Sequence, residues 1–129
     1  MTRFAPTLDL IARVALAALF LLAGLNKISQ YEGTQAFMES VGIPGILLPA
    51  VIVLEVLGAL AIMTGLFTRL SALALAGFSV ASALLFHFQL ADPTQFAMFF
   101  KNIGLAGGFL LLAAHGAGQI SLDAKRASA

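Results

Sequence analysis

Four long apolar runs divide the chain, at about residues 8–28, 45–67, 70–90 and 95–114. Each approaches the roughly 20 residues that a helix needs to cross a bilayer. The breaks between them carry helix-ending chemistry. In TGLFTR, residues 64–69, Gly65 suits a left-handed helix end and Thr68 suits the cap of the next helix. In ADPT, residues 91–94, Asp92-Pro93 is a turn, and Pro93 fits the first turn of a following helix. The loop YEGTQAFMESVG, residues 31–42, differs from these. Its Phe37, Met38 and Val41 fall on one side of a helical wheel, and Glu32, Gln35 and Glu39 fall elsewhere. That pattern predicts a short amphipathic helix at about residues 34–41, lying in the membrane interface. Gly42, Pro44 and Gly45 end it, and residues 116–129 form a polar tail.

The first run follows MTR and is rich in small residues, as a cleaved signal would be. Further spanning segments come after it, so it is expected to be a retained helix. Small residues recur in the later runs: Gly58, Ala59 and Ala61 in the second, Ala72, Ala74, Ala76 and Gly77 in the third, and a Gly104/Gly108 GxxxG pair in the fourth. In lipid such residues let helices approach closely.

Composition narrows the class. Hydrophobic residues make up 60% of the chain and charged residues 10%, with a mean hydropathy of +1.01. A soluble domain carries roughly 25% charged residues. The expected fold is therefore an all-α integral membrane four-helix bundle with a short interfacial helix after the first span, forming one transmembrane domain over residues 1–129. The net charge is +1, and the basic residues are scattered rather than gathered into a stripe, which argues against a nucleic-acid partner. There is no cysteine, so thiol chemistry and Cys-ligated clusters are excluded.

Lys and Arg set the orientation. Arg3, Arg69, Lys125 and Arg126 fall on one side. On the other, Lys27 and Lys101 are set against Glu32, Glu39 and Asp92. The first side is expected to be the cytoplasm, with both termini there. Given those directions, every spanning helix brings a polar group into the outer half: Asn26 and Lys27, then Glu55, then His87, then Lys101 and Asn102.

Glu55 sits in VIVLEVLGALAIM, near mid-membrane. An ionised carboxylate alone at that depth costs at least several kcal/mol, so Glu55 must be protonated, paired or wet. Lys101 and His87 are its candidate partners, with Asn102 and Lys27 as further donors. Intramembrane carboxylates commonly carry protons. Equally, such groups can serve as glue between helices, and Lys27 can instead snorkel to the headgroups. On the inner side, Asp9 and Arg13 stand at i,i+4 and can neutralise each other. His115 is placed to meet the last carbonyls of its helix. His87 and His115 lie at opposite ends of their helices, so they cannot share a metal or a haem. A Glu55–His87 zinc site would lack ligands. No intrinsic redox centre is expected.

The residues also resemble a known family. RVALAALFLLAGLNKI, VGIP, LEVLGALAIMTGLFTRLSALAL and HFQLADPTQFAMFFKNIGLAGGFLLLAAHGAGQISLD, spanning Ile11 to Asp123, are similar to the DoxX family of small four-helix bacterial membrane proteins. The resemblance implies a plasma-membrane protein related to small subunits of quinone-linked oxidoreductases, such as thiosulfate:quinone oxidoreductase and archaeal terminal oxidase complexes. It also implies links to redox stress. More distant eukaryotic relatives act in assembly or trafficking.

Three functions follow as expectations. The first is a subunit of a membrane oxidoreductase complex that binds a quinone or quinol, with electrons from a redox partner protein. There Glu55 and His87 would be the catalytic pair, and Lys101, Asn102 and Lys27 would bind the ligand. The second is a non-catalytic binding or assembly factor for a lipid or a client helix. The third is a small transporter, which would need a homo-oligomer, because transporters are usually built from repeated halves.

Overall fold

The computed structural model describes residues 2–128. A 3-10 turn, Thr2–Phe4, leads into α1, Ala5–Ser29. Next come α2, Tyr31–Ser40, a 3-10 turn at Gly45–Leu47, and α3, Leu48–Thr64. α4 spans Thr68–Phe86, α5 spans Pro93–His115, and α6 is a short C-terminal helix, Leu122–Ser128. Four helical segments among the described residues are long and apolar enough to cross a membrane. Helix α4 ends four residues before the expected limit of 90, because residues 87–92 form the turn into α5.

The helix ends follow local chemistry. Gly65 takes φ +72°, and the Leu66 and Gly65 amides donate back to the Ala61 and Ile62 carbonyls at 2.8 and 3.2 Å. This is the two-bond closure that a left-handed glycine permits. Asp92 caps α5 by accepting from the Thr94 amide at 2.9 Å, with Pro93 in the first turn. The cap of α4 comes from elsewhere. Thr68 does not cap its own helix; Asp123, more than fifty residues on, accepts from the Phe67 and Thr68 amides at 2.7 and 2.8 Å.

α1 lies along α3, α4 lies along α5, and contact between α3 and α4 joins the two pairs. The core is made mostly of alanine: Ala17, Ala59, Ala72, Ala76 and Ala106, with Ile62, Leu75, Phe20 and Phe109. Phe20 meets Phe109 and Phe78 edge-on at 5.4 and 6.3 Å. Large apolar side chains point outward instead, with Leu22, Leu57, Leu70 and Leu111 each at least 60% exposed. That inversion is stable only where the surroundings are hydrocarbon, since lipid gives helices no hydrophobic reason to hide leucine.

Glycine decides how closely two helices meet. A Cβ on Gly24 would stand 2.7 Å from Val56 Cγ2 and 3.3 Å from Glu55 Cβ, so α1 and α3 touch backbone to side chain there. The Gly104/Gly108 pair does not act as a two-point contact. Gly108 seats Leu16 of α1, while Gly104 faces open space. We expect Gly24→Val to lower the melting temperature in mild detergent clearly, and Gly104→Ala to stay within about 1 kcal/mol of the parent. Equal losses in the two variants would contradict this packing.

Candidate functional site

Helix α1 places Lys27 one turn beyond Gly24, on the same face. The tight approach at Gly24 brings α3 against that face. As a result, Lys27 Nζ lies 2.7 Å from Glu55 Oε1. The contact is an ion pair rather than an aligned hydrogen bond. Glu55 is buried, at 2% exposure. The partner expected from the sequence was Lys101 or His87, and the structure gives Lys27 instead. The reason is helix adjacency: α3 packs along α1, whereas Lys101 and His87 arrive on the α4–α5 pair across the gap. Lys27 therefore turns inward and does not snorkel.

Between the two helix pairs is a cavity of about 250 Å³. Lys27, Glu55, His87, Lys101 and Asn102 all line it. His87 ends α4, and its Nδ1 is 2.8 Å from Gln95 Oε1 on α5. The amide oxygen can only accept, so Nδ1 is the donor in this contact, and Nε2 has no partner among the described residues. Lys101 Nζ touches Met98 Sδ at 3.7 Å. Asn102 is 7% exposed, and its amide has no hydrogen-bond partner among the described residues. Its polar atoms are not among the fully buried unsatisfied ones, so the amide is open to the cavity that Asn102 lines.

The rest of the wall is apolar and aromatic. Phe20 and Phe78 come from the core side. Phe37 and Met38 of α2 cover the cavity, with Thr34 beside them. Phe37 stacks on Phe86 at 5.6 Å, tying α2 to the end of α4. Gln35 Nε2 donates to the Gly45 carbonyl at 3.1 Å, which holds α2 over the start of α3. Ser79 and Ser82 were not singled out by sequence reasoning. Their signal was present: with Phe86 they repeat at three and four residues along one face of an otherwise apolar helix. The Ser79 hydroxyl donates to the Leu75 carbonyl at 2.8 Å, which leaves Ser82 as the nearer donor for a ligand.

The opposite end of the bundle is a second polar cluster, structural in character. Arg13 is 1% exposed. It makes no direct ion-pair contact with Asp9, although the Asp9 charge acts on it through space as the i,i+4 spacing implied. Its guanidinium donates to the Ile62 and Met63 carbonyls at 3.0 and 3.2 Å, and to the Ile120 carbonyl. The tail expected to be merely polar is thus folded against the bundle. Burial works to raise the Asp123 pKa, but the Thr68 and Phe67 amides and the Arg126 charge outweigh it and hold the carboxyl below the usual Asp value. Arg126 lies over the Phe67 ring at 4.6 Å. Arg69, rather than the expected His115, reaches the last turn of α5, donating to the Ala114 carbonyl at 3.0 Å.

This architecture matches a known pattern. The DoxX family model aligns with residues 8–88, more than half of the chain. The chain belongs to the DoxX family. It is an integral membrane protein, and the match takes in Lys27, Glu55 and His87 while stopping short of Lys101 and Asn102. Two longer likenesses extend further. The inner membrane protein YqjF of Escherichia coli (strain K12) is 49% identical over 114 residues, 88% of each chain. The inner membrane protein YphA of the same organism is 40% identical over 126 residues, covering 92% of this chain and 89% of its own. No solved structure matches this DoxX protein.

Proposed function

We propose that this DoxX protein is a quinone- or quinol-binding subunit of an oxidoreductase complex in the inner membrane, with both termini on the cytoplasmic face. The observation that carries the reading is the cavity itself. It is mostly aromatic and apolar, lies between two helix pairs in the membrane, and converges polar groups on one region. Pockets of that kind hold small apolar ligands and fix them by a few placed donors and acceptors.

In this reading Asn102, Ser82 and Lys101 donate to the ring oxygens, and the Phe20, Phe78 and Phe86 side chains pack against the ring. Reduction of a quinone to a quinol takes two electrons and two protons. The electrons come from a partner oxidoreductase. Glu55, once it has taken up a proton, delivers that proton to one ring oxygen and returns to the carboxylate that Lys27 holds. The second proton comes from His87 Nε2, which must carry it when the quinone is bound, while Nδ1 stays on the Gln95 oxygen. A transport path suits the structure less well. Beyond Glu55 the described core packs Ala59, Ile62 and Phe109 into one apolar cluster.

The test is direct. The protein is purified gently from its own membranes, and bound small molecules are extracted and identified by mass spectrometry. Wild type should carry quinone above its bulk membrane ratio, and Glu55→Gln and His87→Ala should lose it. Bulk phospholipid alone, unchanged in both variants, would remove the quinone reading and leave a lipid-binding or assembly role.

A further inference from the structure

The charges around the cavity do not balance. Lys27 and Lys101 line it and act on one another through space. A single carboxylate, Glu55, faces them, and it is engaged by Lys27. The other acidic residues at this end are placed elsewhere. Asp92 caps its own helix, and Glu32 and Glu39 are not on the wall. No carboxylate among the described residues lies within ion-pair distance of Lys101. Its polar contact is a thioether, Met98 Sδ, which brings no charge. Lys101 is an exposed residue of a spanning helix, two turns in from Pro93, and the one carboxylate on the cavity wall is already engaged by Lys27.

Two hydrogen-bonding groups stand beside that charge without a protein partner. The Asn102 amide is unpaired and open to the cavity, and Ser82 lines the same cavity from the facing helix. A cation flanked by neutral donors is the recognition pattern of an oxyanion. The surrounding phenylalanines and the position within the spanning region require that the oxyanion carry an apolar tail.

We infer that the cavity binds an amphiphile with a singly charged oxyanionic headgroup, with Lys101 as its charge-bearing contact and Asn102 and Ser82 as its neutral donors. The source is either a phospholipid phosphodiester or a free fatty-acid carboxylate. Both place one negative charge at the head of an alkyl chain. The inference shares with the functional reading the premise that the cavity is a ligand site. It goes beyond that reading by naming a charged occupant that competes with quinone for the same space.

The full-length protein in nanodiscs of phosphatidylcholine is titrated by calorimetry with dihexanoyl phosphatidylglycerol, dihexanoyl phosphatidylcholine and decanoate. Wild type should prefer an anionic probe to the zwitterion. Lys101→Gln should bind that probe about tenfold more weakly, the scale of one charge-assisted contact, and Lys101→Arg should restore it. Glu55→Gln frees Lys27 and raises the cavity charge, so it should bind the anion more tightly. That sign is opposite to its expected loss of quinone, which keeps the two readings separable. Binding of phosphatidylglycerol alone assigns the lipid headgroup, and binding of decanoate alone assigns the carboxylate. Equal binding of anion and zwitterion, anion binding unaffected by Lys101→Gln, or weaker anion binding in Glu55→Gln would overturn the inference. Retention of parent melting behaviour by Lys101→Arg guards against a folding defect at that position.

Discussion

Arg13→Ala is expected to destabilise the bundle by about 3–5 kcal/mol and to release the C-terminal segment. Arg13 is buried near the N-terminal end of α1, and its guanidinium bridges three carbonyls from two other parts of the chain. The Ile62 and Met63 carbonyls belong to the last turn of α3, where helical partners run out. The Ile120 carbonyl belongs to the folded tail. A hydrogen bond to a charged group contributes about 1.5–3 kcal/mol, and three sharing one donor group add less than their sum. Gly65 is part of the same joint. Its φ is +72°, and a Cβ there would run into Ser121 and the Arg13 guanidinium. Gly65→Ala should therefore act in the same direction. Arg13→Lys keeps the charge but offers a point donor in place of a planar fork, so it should recover only part of the loss. Thermal unfolding in mild detergent, with limited proteolysis of residues 116–128, reads both effects. A fall in melting temperature of roughly 10 °C or more is expected for Arg13→Ala. Unchanged melting with an intact tail would mean that the three carbonyl contacts do not hold the inner end together.

The second large effect concerns the pair across α1 and α3. Lys27→Met should cost about 3 kcal/mol, because it leaves the buried Glu55 carboxylate without its cation. The double variant Lys27→Met/Glu55→Leu should return to within about 1 kcal/mol of the parent, since replacing both members of a buried ion pair by apolar groups is often neutral. The difference is the coupling that a double-mutant cycle isolates. Both variants should lose the quinone expected to co-purify with wild type. Stability recovered without ligand would separate the binding role of the pair from any contribution to folding. If instead the double variant is as unstable as the single one, Glu55 and Lys27 each serve the fold through other contacts, and the pair is not the hinge of the site.

Much of the architecture is legible in the residues. Runs of leucine, alanine and valine near 20 residues long specify spanning helices, because a backbone in hydrocarbon must satisfy its own hydrogen bonds. Gly65, Asp92 and Pro93 mark helix ends through local geometry that needs no tertiary partner. The polar residues Lys27, Glu55, His87, Lys101 and Asn102 stand out against their apolar surroundings, and simple helix direction puts them at the same end. That end is where the cavity lies. The membership of the cluster was therefore readable from position along four antiparallel helices.

What sequence position did not contain was azimuth and neighbourhood. Which lysine meets Glu55 depends on which helices lie side by side, and that depends on the close seat at Gly24, a contact that no spacing motif marks. The GxxxG spacing at Gly104 and Gly108 was a plausible contact in one dimension, but only Gly108 faces a neighbour. The tail was the largest surprise. Polar residues such as Asp123 and Arg126 read as solvated, yet Asp123 caps α4 and the Ile120 carbonyl engages Arg13. Those bonds join residues more than fifty positions apart. The sequence by itself determined a four-span membrane helix bundle of the DoxX family and the end of the bundle at which its polar residues gather, because length, hydropathy and capping are local. Only the tertiary structure decided the Lys27–Glu55 pair, the unbalanced Lys101 and the locking of the tail by Arg13 and Asp123, because side-chain partners are set by the rotation and contact of helices far apart in the chain.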